Sequence, residues 1–393
     1  MNSKRKRGDS LCSEEEERIS GEDDAAKIDS QWTCTCCTFE GNPPHDEYCG
    51  ICETAKPPSL SESTIISYKG IHKAISLTDD ITVLPVGFGC LACGVGYPSL
   101  SARPSSSQFY NILRVVSPPK NSGVHLFVDT ADVYCHPFDN RHEIDRQIAD
   151  AKKTLPLVVS TKSGMNRVSN ESTGWREGNR LSFRQQILDA KDNCNSDPTE
   201  PLFLWQTHHT NSRSLVSAMT TAKEMIHEKL LSHVGLCNAT VGQIEDAVAV
   251  LGGSTAALLT VQNEYSLYNL EAEKPLPPGA AASSKKGVLR CCERHGITFV
   301  AHSPLGGLKT RRGDRQVERK SDQLKKLAAL KNSSPEACAI ACLLARGKAM
   351  KVKMIVLVGG RGCEHVKESV EMGSRITITE EECSSVMGEL KIT

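Results

Sequence analysis

The chain has 393 residues, 39% apolar and 24% charged, with 47 basic side chains balanced by 47 acidic ones. A formal charge of zero sets up no global field for nucleic acid or an anionic membrane, and the length suits one large core plus something small. No run approaches the roughly 18–20 apolar residues of a membrane span, and the polar start MNSKRKRGDS argues against a secretory signal, so the 17 cysteines are expected to be reduced thiols of an intracellular protein, some on a metal.

Residues 1–29 mix a basic run with SEEEERISGEDDAAK, show no hydrophobic period, and are expected to be a disordered charged tail. The tetrad Lys4, Arg5, Lys6, Arg7 has the composition of a nuclear import signal, with a solvated charge run as the equal alternative, so the expected location is cytoplasmic, nuclear or both. Composition changes sharply over residues 30–56, which contain QWTCTCCTFEGNPPHDEYCGIC. Two Cys-x2-Cys knuckles, Cys34 with Cys37 and Cys49 with Cys52, are separated by eleven residues, a spacing that suits one tetrahedral zinc ion on four thiolates. A segment of about 25 residues buries too little core to fold alone, so the metal would supply most of its folding free energy. Cys36 is left as a spare thiol. Residues 57–68, most of which lie in the Pro- and Ser-rich stretch AKPPSLSEST, read as a linker.

From residue 69 to 393, eight short apolar runs alternate with helical patterns: ITVLPVGFG, GVHLFVDTA, LPLVVSTKS, EPLFLWQTHH, SHVGLCN, ALLTVQNEYS, GITFVAHSPLG and MIVLVGGRG. Their near-continuous β-branched character suits strands buried on both faces of a parallel sheet. Between them, SLVSAMTTAKEMIHEKLL and TVGQIEDAVAVLGG read as helices, the second closed by Gly252-Gly253. Eight strands with intervening helices predict an α/β fold of the (β/α)8 TIM-barrel type; no G-x-G-x-x-G follows the first strand, which weakens an open doubly wound sheet.

Chemistry in such a barrel sits at the C-terminal ends of the strands. Reading each run to its end gives Asp129, Lys162, His208 with His209, Asn238, Gln262 and Ser303. Asp129, Tyr134, Lys162 and His208 together suit reduction of a carbonyl by hydride transfer, where the nascent alkoxide must be stabilised and protonated. A free tyrosine has a pKa near 10; a neighbouring Lys162 ammonium, held by Asp129, is expected to lower it, and a neutral His208 to orient the carbonyl. Tyr134 would be the general acid.

The ordered stretches FVDTADVY, STKSG, WQTHH, VGLCN, VQNEYSL and AHSPLGG resemble the successive strand ends of the aldo-keto reductases, over roughly residues 81–386. That resemblance implies NADPH-dependent reduction of an aldehyde or ketone by the tetrad Asp129, Tyr134, Lys162 and His208. It also implies cofactor contacts from Asn238, Gln262, His302, Ser303, Leu305 and Arg361. Asn238 and Gln262 would hold the nicotinamide carboxamide, Ser303 and Leu305 the pyrophosphate, and Arg361 the adenosine 2′-phosphate, whose shape suits a guanidinium fork. For Lys309, Arg311 and Arg312 two readings stand side by side, a cover over the phosphates and a solvated charge run. Four positions depart from the family pattern: His302 where an aromatic usually stacks on the nicotinamide, CHPF after the tyrosine, Ser369 in place of an asparagine, and an irregular first loop, CLACGVGYPSLSARPSSSQF.

The cysteine segment resembles the Ran-binding-protein-type (NZF) zinc finger, with Trp32 and Asn42 in place and one extra residue in FEGN. By that resemblance Thr38, Phe39 and Ile51 match the patch with which one branch of the family binds ubiquitin. The RNA-binding branch needs arginines, and no Lys or Arg lies between Gln31 and Cys52. The reading is therefore an NADP-dependent reductase whose finger binds ubiquitin. Its rivals are an inactive cofactor-binding barrel serving as an interaction scaffold and a finger that binds single-stranded RNA.

Overall fold

In the computed structural model, the residues described are 32–33, 40–42, 74–94, 104–134, 142–167, 175–177, 181–209, 212–253, 257–281, 283–307 and 315–387. The chain divides into two units, residues 1–60 and 61–393. In the first, Trp32–Thr33 pairs antiparallel with Glu40–Asn42, bringing Trp32 opposite Asn42. The proposed zinc ligands Cys34, Cys37, Cys49 and Cys52, the patch Thr38, Phe39 and Ile51, and the basic tetrad lie outside the described residues.

In the second unit, each apolar run becomes a parallel strand: β1 (Val86–Gly89), β2 (Val124–Asp129), β3 (Leu157–Ser163), β4 (Leu202–Thr207), β5 (Leu231–Cys237), β6 (Leu258–Glu264), β7 (Thr298–His302) and β8 (Met354–Val358). Each bonds to the next, and β8 pairs back onto β1 through Val356 with Val86 and Val358 with Phe88, which closes the sheet. This is the (β/α)8 barrel expected from the alternation of runs. Its closure removes every sheet edge, so each strand is covered by helices outside and side chains inside and can be apolar on both faces.

Helices α1 (Ser106–Val116), α2 (Glu143–Lys152), α3 (Phe183–Cys194), α4 (Ser212–His227), α5 (Val241–Val250), α6 (Val288–His295), α7 (Arg315–Lys331), α8 (Pro335–Ala349), α9 (Cys363–Arg375) and α10 (Glu380–Met387) follow their strands. Their starts are chemically marked. Ser105 with Gln108 and Thr240 with Gln243 form reciprocal capping boxes, and Ser334 caps α8 ahead of Pro335. The expected end of α5 is present: Gly252 is left-handed, its N–H donates to Ala249, and the Gly253 N–H donates to Val248, a Schellman closure. One boundary differs from the sequence reading. α4 stops at His227 because Lys229 turns left-handed and Leu230 N–H folds back to Met225, releasing Leu231 to pair with Leu202.

Before the barrel, Ile75–Ser76 and Thr82–Val83 form a hairpin whose second strand lies beside Val124 and His125 at the start of β2. Pro85, with no N–H to give, separates it from β1. Leu77 and Val83 pack with Phe127, Val158, Leu204, Leu259, Val300 and Ile355 in one apolar cluster. That cluster plugs the N-terminal end of the barrel and leaves the opposite end to polar side chains. No described helix is long and apolar enough to cross a membrane.

Candidate active site

Asp129 is the last residue of β2, Lys162 stands one before the end of β3, and His208 follows β4 directly. Tyr134 lies on the turn after β2, pinned by its N–H to the Ala131 carbonyl and by Asp132 N–H to the Lys162 carbonyl, each at 2.9 Å. Gly94 makes that seat possible: a Cβ there would fall 2.2 Å from the Tyr134 carbonyl oxygen. All four side chains are buried, Lys162 to 1% exposure.

Their arrangement is specific. The Lys162 ammonium donates to Asp129 Oδ1 and, at 2.8 Å, to the Thr130 carbonyl. Its Nζ lies 5.1 Å from the centre of the Tyr134 ring. The His208 ring meets Tyr134 edge-on at 5.8 Å, and His209, exposed beside it, stacks on His208 at 5.9 Å. The structure therefore brings the four residues singled out in the sequence into one cluster, with His208 rather than His209 against the phenol.

Three further residues of the cluster were not singled out in the sequence. Asp129 Oδ2 accepts from Gln262 Nε2 at 2.8 Å and from Gln206 Nε2 and Ser160 Oγ, each at 3.3 Å. Gln206 also donates to Ser160 Oγ, and its Oε1 accepts from Thr260 Oγ1 at 3.3 Å. Gly235 of β5 stands in register between Gln206 and Thr260. A Cβ on Gly235 would sit 2.4 Å from Thr260 Oγ1 and 2.9 Å from Gln206 Cγ, so only glycine lets those two side chains meet across β5. The available signal was period two: Ser160, Gln206 and Thr260 each precede Lys162, His208 or Gln262 by two residues and so share a strand face with them.

Burial governs the electrostatics. It drives the Tyr134 phenol above its usual value; Lys162 pulls the other way and Asp129 adds to the rise. Lys162 does act to lower this pKa, as expected from the sequence, but in the free protein desolvation outweighs the ammonium and the net shift is upward. Burial also works against a charged Lys162, but Asp129 and then Tyr134 overcome it and raise its pKa. His208 is held well below 6.5 by burial, then by Lys162, His209 and His302. Near neutrality the cluster thus holds a neutral phenol, an ammonium and a neutral imidazole.

A cavity of about 650 Å³ opens beside it. Asp129, Tyr134, His208, Asn238 and Gln262 are among its lining residues, with Ser303, Leu305, His365, Glu368 and Ser369. Asn238 and Ser303, at the ends of β5 and β7, both adopt left-handed backbone, as do Gly306 and Gly307. The 303–307 turn is closed by the Gly306 N–H, which donates to the Ser303 carbonyl at 2.9 Å. Asn238 Oδ1 accepts from or faces His302 Nε2 at 3.3 Å, and Asn238 Nδ2 donates to the His208 carbonyl at 3.2 Å. Arg361 is not among the lining residues; its Nε donates to Ala92 O at 2.7 Å, tying the loop after β8 to the turn after β1. In size the cavity fits a dinucleotide. Lys309, Arg311 and Arg312, with Cys135 and His136, lie outside the described residues.

Similarity to known proteins agrees with this architecture. The chain is 23% identical over 268 residues to the pyridoxine 4-dehydrogenase of Escherichia coli, covering 66% of this chain and 80% of that protein. It is 24% identical over 234 residues to the aldo-keto reductase yakc [NADP(+)] of Schizosaccharomyces pombe, covering 57% of this chain and 59% of that one. The solved structure of the thermostable aldo-keto reductase Tm1743, crystallised with the inhibitor epalrestat, superposes with a TM-score of 0.55 at 19% identity, over 79% of this chain and 96% of that one. The Aldo/keto reductase family model matches residues 87–388, and with its closed barrel this chain belongs to the aldo/keto reductase family.

Proposed function

We propose that the barrel is an oxidoreductase that reduces an aldehyde or ketone to an alcohol with NADPH, Tyr134 supplying the proton. The observation that carries this reading is the Tyr134 phenol set between the Lys162 ammonium and the His208 ring at the wall of a dinucleotide-sized cavity. When bound, NADPH supplies a hydride to the carbonyl carbon; Asn238, Gln262, His302, Ser303, Leu305 and Arg361 are the residues proposed to hold it. The relative whose name carries NADP(+) supports that choice of nucleotide.

Each protein group then has a separate task. Burial keeps Tyr134 protonated, so the acid is loaded before the substrate arrives. The neutral His208 imidazole donates a hydrogen bond to the carbonyl oxygen and orients it. Tyr134 passes its proton to that oxygen as negative charge builds on it. Lys162 stabilises the phenolate left behind, and Asp129, held by three further donors, keeps the ammonium in place. Water returns the proton to Tyr134. Purified protein should oxidise NADPH in the presence of a generic aldehyde, and Tyr134→Phe should lower the rate by about 10²–10⁴-fold while NADPH still binds. A Tyr134→Phe protein as fast as the parent would reject the assignment.

One observation favours a second reading, a cofactor-binding barrel with little turnover that serves as a scaffold. The amides of Gln262 and Asn238 are engaged with Asp129, His208 and His302 rather than turned to open space. Quenching of protein fluorescence by NADPH without turnover across an aldehyde panel would select it. For the N-terminal segment we propose one zinc ion on Cys34, Cys37, Cys49 and Cys52 and binding of ubiquitin through Thr38, Phe39 and Ile51. Titration of the full zinc-loaded chain with ubiquitin should saturate, and Phe39→Ala should remove the response; saturation by single-stranded RNA instead would overturn it.

A further inference from the structure

On the outer wall of the barrel, remote in sequence from the tetrad, three side chains with metal-binding atoms converge. Glu245 stands in the middle of α5; Cys291 and His295 are one turn apart on the same face of α6. Glu245 Oε1 lies 3.5 Å from Cys291 Sγ, and Glu245 Oε2 lies 3.0 Å from His295 Nε2. All three donor atoms fall within 4.8 Å of one another. A tetrahedral zinc with bonds of about 2.0–2.3 Å holds its donors about 3.3–3.8 Å apart, so the thiol and carboxylate already stand at that separation.

The same donors already attract a cation. Arg294 Nη2 lies 2.5 Å from Glu245 Oε1 and 3.6 Å from Cys291 Sγ. Its side chain is 61% exposed, so it can leave for water at small cost, whereas Cys291 is buried at 1% and cannot. Glu245 is 42% exposed and His295 20%, which leaves an outer side open for a water ligand.

We propose that Glu245, Cys291 and His295 form a zinc site that staples α5 to α6, with Arg294 as the cation it displaces. On binding, the Cys291 thiol gives its proton to solvent. The ion's two positive charges then meet one thiolate and one carboxylate, the imidazole stays neutral, and a water completes four-coordination. Thiolate, imidazole and carboxylate together match the borderline-soft zinc ion better than magnesium or calcium, which take oxygen ligands.

The test is a zinc competition titration of the full-length chain against a chromophoric chelator, beside metal analysis of the dialysed protein. His295→Ala should lower bound zinc by one equivalent per chain, or weaken one class of site by about tenfold or more, without touching the N-terminal cysteines. Arg294→Ala should tighten the same class, since it removes the competing guanidinium; a merely structural cluster would show no such gain. Cys291 is buried, so His295→Ala and Arg294→Ala decide the matter even if Cys291→Ser does not fold. Equal zinc content and affinity in His295→Ala and the parent would overturn the proposal, as would weaker binding in Arg294→Ala.

Discussion

Replacing Lys162 with methionine removes one positive charge from the buried wall and keeps the length of the side chain. Asp129, 3% exposed, would then hold its negative charge against Gln262, Gln206 and Ser160 alone. Those neutral donors satisfy Oδ2, but the partner of Oδ1 is gone, and so is the hydrogen bond to the Thr130 carbonyl. Breaking one half of a buried pair costs about 3–5 kcal/mol, because the remaining charge keeps its desolvation penalty. At about 2.1 cal/mol/K of unfolding entropy per residue, a unit spanning residues 61–393 shifts by about 1.4 °C per kcal/mol, so the melting midpoint should fall by about 4–7 °C. Asp129→Asn alone should also destabilise, since it strands the ammonium. The double variant Asp129→Asn with Lys162→Met removes both charges and should be more stable than the sum of the single losses implies, by about 2 kcal/mol or more. Differential scanning fluorimetry on the four proteins measures the cycle. Losses that add to within about 0.5 kcal/mol would refute the coupling and, with it, the view that Asp129 acts through Lys162.

Two other perturbations test separate parts of the site. Gly235→Ala should cost about 1–3 kcal/mol, because its Cβ would meet Thr260 Oγ1 at 2.4 Å and Gln206 Cγ at 2.9 Å, and adding Thr260→Ala should restore only part of the loss; a double variant no more stable than Gly235→Ala counts against the Thr260 contact. His302 is lowered from 6.5 to about 4, by burial first and then by the Lys162 and Lys285 charges against the opposing pull of Glu264. The unfolded chain therefore takes up that proton first as pH falls below 6.5, and stability drops between 6.5 and about 4 by at most about 3 kcal/mol. His302→Phe should flatten that part of the acid limb in melting curves taken from about pH 7 to about pH 4.5, and an unchanged slope would contradict the assignment.

The barrel was legible because its signal is one-dimensional. Continuous β-branched runs, polar residues where the runs stop, and the Gly252-Gly253 stop after α5 are all properties of neighbours in sequence. Asp129, Lys162 and His208 stood out because each interrupts an apolar run at the same topological edge. The end of α4 was less legible: EKLL continues the helical pattern, but the left-handed turn at Lys229 and the pairing of Leu231 with Leu202 belong to the sheet. Tertiary pairing outweighed helix propensity there.

What was not legible is the layer beneath the tetrad, and the reason is register. Gln206 of β4 lies beside Lys162 of β3 and Gly235 of β5, while Gly235 lies beside Thr260 of β6. No single run announces that alignment, because it comes from the stagger of a closed barrel, whose interior layers draw on alternate strands. Gly235 reads in sequence only as a weak point in a strand; in the barrel it is the gap through which Gln206 and Thr260 touch. The same distinction explains Tyr134. Sequence supplies the neighbour that would lower its pKa, but only the fold supplies the burial that raises it. Under the proposed mechanism the resting phenol is a stored proton, and the Lys162 ammonium would exert its main effect after that proton has left, when phenolate and ammonium would share a buried site.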